Sequence, residues 1–96
     1  MVLFDLPVTT KKEQKRASKF RSELMNLGFE MVQFSVYFKF GYGKDQTESL
    51  IEKVKKIVPE YGNVKILRIT DKQFGDIIHL GNQLPREQNQ KQLALF

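Results

Sequence analysis

The chain has 96 residues, a formal net charge of +5 at pH 7 and no cysteine. This length predicts a single domain, and the lack of cysteine excludes a disulfide framework and a thiolate-ligated metal site. Because the sequence has no apolar run long enough to span a membrane and no signal-peptide pattern, we expect a cytoplasmic protein with no membrane partner.

The N-terminal part of the chain predicts a strand followed by a helix. Residues 1–6 form the predicted strand, which carries Asp5 near its end. A capping box over residues 10–13 predicts the start of a helix, and Gly28 supplies the left-handed residue that ends it. The helix has one apolar stripe at helical spacing, formed by Ala17, Phe20, Leu24 and Leu27.

This predicted helix also carries the whole excess of positive charge. Residues 9–21 include six bases and one acid, and the rest of the chain is neutral. Such a concentration favours a localised anionic partner, although a solvated helix surface is the common alternative. The candidate nucleic-acid-binding residues are Lys11, Lys12, Lys15, Arg16 and Lys19.

Residues 29–43 alternate between apolar and polar side chains, which predicts strand structure. The apolar set contains Val32, Phe34, Val36, Phe38 and Phe40. The other side of the strand would carry Gln33, Ser35 and Tyr37. The run fits one bent strand or two short ones, and the pattern alone does not separate these two possibilities.

The C-terminal half predicts a second helix, a strand and a short fifth strand. The helix has a predicted cap near Asp45 or Thr47 and ends at Pro59. The strands are predicted over residues 64–70 and 76–81. Residues 82–96 are predicted as a polar linker followed by an apolar segment that docks on this chain or on a partner, the alternative being a frayed end. The docking residues would be Leu93, Leu95 and Phe96.

Together these elements predict an α+β sandwich, with one sheet and helices on one of its faces, over residues 1–81. The second face of the sheet would be half apolar, and on so small a domain this predicts a homodimer. The domain is small enough that a partner surface would add useful burial.

Asp5 has two possible roles. An aspartate at the end of a strand commonly bonds nearby backbone amides. Alternatively, its carboxylate is a catalytic group that holds Mg²⁺, an ion that takes one or two carboxylates together with waters and phosphates. A two-fold dimer that brings two copies of Asp5 together would supply a pair of carboxylates.

Residues 2–80 resemble the small CRISPR adaptation protein family, whose members are the dimeric partners of the CRISPR integrase. The matching segments are FDLP, TTKKE, KFR, QFSVY and GNVKILRITDKQF, in this order. The chain looks most like the prokaryotic branch that accompanies single-effector, RNA-guided nucleases.

This resemblance implies a ferredoxin-like βαββαβ fold with an extra C-terminal strand, in a homodimer that bridges integrase dimers and binds double-stranded prespacer DNA. It also implies a magnesium-dependent endonuclease that acts on RNA or double-stranded DNA, with Asp5 at the strand end. Ser35 and Tyr37 match the family's serine-aromatic motif, as residues of the dimer or next to the site. The alternative is a stand-alone, toxin-like endoribonuclease of the same fold.

Overall fold

The computed structural model describes residues 1–81, which form four strands and three helices. The strands are β1 (Val2–Asp5), β2 (Glu30–Gln33), β3 (Val36–Phe38) and β4 (Asn63–Ile66). The helices are α1 (Lys11–Asn26), α2 (Lys44–Ile57) and α3 (Asp71–Gly75). The predicted linker and docking segment, with Leu93, Leu95 and Phe96, lie outside the described residues.

The strands form one antiparallel sheet with the order β2-β3-β1-β4. The first helix follows β1 and the second follows β3, so each helix connects two parallel strands that are separated by a third strand. This connectivity is that of the ferredoxin-like βαββαβ sandwich, and the predicted α+β fold is confirmed.

Helix α1 begins and ends where the sequence predicts. The Thr10 hydroxyl accepts a hydrogen bond from the Glu13 amide at 3.1 Å, and the Glu13 carboxylate accepts one from the Thr10 amide at 3.0 Å. A cap of this kind stabilises a helix by about 1 kcal/mol. At the other end, Gly28 adopts a φ of 96°. Ala17, Phe20 and Leu24 are buried, as the predicted stripe requires.

The core lies between the sheet and the first two helices. Its buried members are Val2, Phe4, Phe20, Leu24, Phe29, Tyr37 and Val54. The Phe4 ring meets the Phe20 ring edge-on, with centroids 5.1 Å apart, and this contact joins β1 to α1. No helix within residues 1–81 is long and apolar enough to cross a membrane.

The β2–β3 hairpin resolves the alternative that the sequence left open, because two short strands form rather than one. The predicted placement of Tyr37 on the second face is wrong: its side chain is 2% exposed and stacks on Phe4 in the core. Tyr37 and Phe38 are neighbours on β3, so their side chains point to opposite faces, and the helices cover the face that carries Tyr37, while Phe38 stacks on Phe74. Val32 and Phe40 of the predicted apolar set are 42% and 50% exposed, so that set does not form the face under the helices.

The start of α2 also differs from the prediction. Its N-cap is Gly43, with a φ of 89°, rather than Asp45 or Thr47. The Thr47 side chain lies one turn inside the helix, where its hydroxyl donates a hydrogen bond to the Gly43 carbonyl at 2.9 Å. The helix ends at Ile57, just before Pro59, as predicted.

The C-terminal part of the described chain corrects two further predictions. The strand predicted over residues 64–70 is shorter, ending at Ile66, and the short helix α3 follows it. A second capping box, in which the Thr70 hydroxyl accepts from the Gln73 amide, starts this helix. The predicted fifth strand over Asp76–Gly81 does not form in the described chain. Ile78 and Leu80 are 80% and 90% exposed there, and a strand needs a neighbouring edge to pair with.

Candidate nucleic-acid interface and the Asp5 site

Asp5 occupies the end of β1, between two turns of the backbone. On one side it pairs with Asn63 of β4. On the other side the amide of the preceding residue, Phe4, donates a hydrogen bond to the Ser35 carbonyl at 3.0 Å. The backbone of Asp5 is therefore held from both sides, while its side chain is exposed.

Gly62 makes the close approach of β4 to Asp5 possible. Its φ is 114°, a left-handed conformation that favours glycine. A Cβ at this position would lie 3.0 Å from the Asp5 carbonyl oxygen and 2.6 Å from a methyl carbon of Leu6. A glycine followed by an asparagine predicts a turn from the sequence alone, and the turn forms here.

Of the two motif residues, the structure brings Ser35 to Asp5 but not Tyr37. Ser35 has a φ of 65° and is the one residue other than glycine with a positive φ among residues 1–81. It forms the turn between β2 and β3, beside the end of β1. Tyr37 lies in the core, where burial raises the pKa of its phenol above the ordinary value and the Arg21 guanidinium opposes this shift.

The described part of one chain supplies no complete set of metal ligands. Within residues 1–81, no group of three or more His, Cys, Asp or Glu side chains is placed to hold a metal ion. Asp5 offers one exposed carboxylate, which matches the one or two that Mg²⁺ takes in sites completed by waters and phosphates. A single chain can therefore provide part of a magnesium site.

The basic side chains of α1 are placed as a surface for an anion. Lys11, Lys12, Lys15 and Lys19 are exposed, and Arg16 is half-buried. We call these five side chains the basic row. Lys19 lies 3.8 Å from the Glu23 carboxylate, whereas no carboxylate of residues 1–81 forms an ion pair with the other four. Most of the row is thus available to an anionic partner.

The N-terminus of α1 itself is already occupied by a carboxylate. The Glu13 side chain accepts hydrogen bonds from the Thr9 hydroxyl at 2.7 Å and from the Thr10 amide at 3.0 Å. These two hydrogen bonds hold the pKa of the Glu13 carboxyl below its usual range. An anion at this helix would therefore meet the side chains of the basic row rather than free backbone amides.

Asp5 and the basic row lie on opposite sides of the sheet. Along β1, Val2 and Phe4 are buried under the helices, so Leu3 and Asp5 point to the other face. Helix α1 packs with Phe20 and Leu24, which leaves its lysines on the outer side. The carboxylate and the basic row are therefore separate sites rather than two parts of one site.

One basic side chain near the row was missed by the sequence analysis. Lys56, in the last turn of α2, borders a groove whose other wall contains Arg16 and Lys19. The sequence signal was weak, because this lysine and α1 are separated by about forty residues and only tertiary packing brings them together.

Comparison with known proteins places these sites in context. Residues 1–77 match the family model described as CRISPR associated protein Cas2. Among curated proteins, the chain is similar to the CRISPR-associated endoribonuclease Cas2 of Campylobacter jejuni subsp. jejuni. The two are 48% identical over 99 residues, which cover 100% of this chain and 69% of the relative.

Two further relatives with the same printed name show similar matches. The protein of Paracidovorax avenae is 41% identical over 98 residues, which cover 100% of this chain and 91% of the relative. The protein of Flavobacterium psychrophilum is 38% identical over 98 residues, which cover 100% of this chain and 85% of the relative.

Proposed function

Because the chain belongs to the CRISPR-associated protein Cas2 family, as its sequence segments predicted, we propose that it is the spacer-acquisition subunit of a CRISPR system. In this role, two copies form a homodimer that bridges dimers of the CRISPR integrase and holds a double-stranded prespacer through its phosphates. The observation that carries the proposal is the exposed basic row on α1, most of which has no carboxylate partner within residues 1–81.

The chemistry of the row fits binding without sequence readout. Lysine and arginine contacts to phosphates hold a duplex but carry no sequence information. A protein that stores foreign DNA must accept any sequence, so binding through the backbone suits the task. A dimer formed through the helix-free face of the sheet would leave both basic rows exposed, and it would bring the two Asp5 carboxylates towards each other.

We further propose that Asp5 contributes to a magnesium-dependent endonuclease activity. The printed name of the relatives, endoribonuclease, supports a nuclease, and double-stranded DNA is the other candidate substrate. Asp5 of each copy would hold the ion, which would supply Lewis-acid stabilisation of the phosphate. The Ser35 and Gly62 turns fix the backbone that carries the carboxylate. Each chain brings one carboxylate to this site, and within residues 1–81 no group of three or more His, Cys, Asp or Glu side chains forms that could hold a metal ion. We therefore expect slow hydrolysis.

Salt dependence is the test of the binding proposal. We expect the affinity for duplex DNA to be the same for scrambled sequences of equal length. With about 6–8 phosphates neutralised by a dimer, the logarithm of the binding constant should fall against the logarithm of salt with a slope of about −5 to −7. Fluorescence anisotropy over a salt series measures both quantities. A slope near zero, or a strong preference for one sequence, would contradict the proposal.

A further inference from the structure

The groove between α1 and α2 extends the basic surface beyond the row itself. It has a volume of about 370 Å³. Its walls carry three cationic side chains, Arg16, Lys19 and Lys56, and two carboxylates, Glu23 and Glu60. Phe20, which is buried, lies at its base and joins it to the core.

The α1 wall of this groove is continuous with the basic row. Arg16, Lys19 and Glu23 are spaced three and four residues apart, so they line one side of the helix. Lys12 lies four residues before Arg16, and Lys15 lies four residues before Lys19, so each is the neighbour one turn earlier on the helix surface. A phosphate backbone bound along the row therefore reaches the groove without leaving the helix.

The α2 wall contributes Lys56 alone among the three lysines near the end of that helix. Lys55 borders the opposite flank of α2, beside Val64 of β4, and forms a 3.0 Å ion pair with Glu52. Lys53 borders neither groove. A lysine in the last turn of a helix is also favoured by the helix dipole. That effect applies to Lys55 as well, and it does not account for the position of Lys56 opposite Arg16 and Lys19.

From this arrangement we propose that a phosphate of the bound duplex occupies the groove between the two helices, held by Lys56 from α2 and by Arg16 and Lys19 from α1. The inference rests on the proposed function and adds a second helix to its DNA-binding surface. Glu60 lies at the same groove and opposes the phosphate, so its charge weakens binding. Glu23 is partly neutralised by Lys19, 3.8 Å away.

The test compares two variants that remove the same charge from the same helix, Lys56→Ala and the control Lys53→Ala. Both positions are exposed and alanine favours helix, so both variants should fold. For each phosphate that Lys56 no longer neutralises, the salt slope should become shallower by about 0.9, which is an affinity loss of about eightfold at 0.1 M salt. The Lys53→Ala slope should remain that of the unmodified protein.

Two more variants sharpen the comparison. Lys56→Arg should retain the slope, and Glu60→Gln should tighten binding at low salt. The inference is overturned if Lys56→Ala and Lys53→Ala give the same slope while substitution of the basic row on α1 still weakens binding. If substitution of the basic row also leaves binding unchanged, the proposed function itself fails, so the two failures are distinguishable.

Discussion

Alanine at Lys11, Lys12, Lys15 and Arg16 is expected to abolish duplex binding and, with it, spacer acquisition. If each side chain contacts one phosphate, the salt slope should become shallower by about 3–4 for each chain, which is a loss of roughly a thousandfold or more at 0.1 M salt. The helix should survive, because alanine is the best helix former and the Thr10–Glu13 capping box is untouched. Anisotropy with a labelled duplex measures the loss, and array expansion in cells measures acquisition.

A matched control distinguishes the loss of phosphate contacts on α1 from the loss of net positive charge. Alanine at four other exposed lysines, Lys44, Lys53, Lys55 and Lys72, removes the same total charge away from α1. This control should retain the salt slope and lose affinity only modestly. Because Arg16 is half-buried, a triple variant that keeps it should show an intermediate loss. Normal acquisition by the quadruple variant would refute the role of the basic row.

Replacement of Asp5 by asparagine is expected to remove magnesium-dependent cleavage while leaving the fold and DNA binding intact. The exposed side chain keeps its shape, and the backbone pairing with Asn63 does not depend on the carboxylate. A bound metal ion contributes several kcal/mol of transition-state stabilisation, and each 1.4 kcal/mol is about tenfold in rate. The cleavage rate should therefore fall by about a hundredfold or more. Duplex affinity should stay equal or rise, since a negative charge is lost.

Cleavage of labelled RNA and duplex DNA from pH 6 to pH 9 checks this expectation. Removal of magnesium by a chelator should mimic the substitution in the unmodified protein and should have no further effect on Asp5→Asn. If the purified protein cuts neither substrate in magnesium, the enzyme proposal fails and the binding proposal stands. If Asp5→Asn acquires spacers normally, hydrolysis is dispensable for adaptation.

Features of the fold that depend on neighbouring residues were predictable from the sequence. The capping box at Thr10 and the glycine at position 28 fix both ends of α1 through contacts within a few residues. Its buried stripe follows from helical geometry alone. The start of α3 was predictable for the same reason, because Thr70 and Gln73 form a capping box of the same kind. The β propensity of the preceding residues instead led to the prediction of a strand that extends to Thr70.

Features that depend on packing or pairing between elements were not predictable in this way. The alternation over residues 29–43 shows that Tyr37 and Phe38 point to opposite faces, but it does not show which face the helices cover. In the structure Tyr37 stacks on Phe4 in the core, whereas Phe38 stacks on Phe74. The predicted fifth strand over Asp76–Gly81 does not form in the described chain. The β propensity of Ile77 and Ile78 does not supply the neighbouring strand edge that a strand needs to pair with.

For the candidate sites too, the identity of the residues was predictable from the sequence, whereas their placement relative to one another was not. Asp5 and the basic row were identifiable by residue type, spacing and family resemblance. Their placement on opposite sides of the sheet required the packing of β1 against α1. The position of Lys56 across a groove from Arg16 depends on how the two helices pack. No local pattern in α2 distinguishes Lys56 from Lys53 or Lys55.

The central claim is that two copies of this chain act together on one duplex. Light scattering of the protein–DNA complex, at a concentration where binding is saturated, counts the chains in each particle. The account predicts two chains per short duplex, and two chains per particle in the free protein. One chain per duplex at full affinity, with a monomer in free solution, would contradict it.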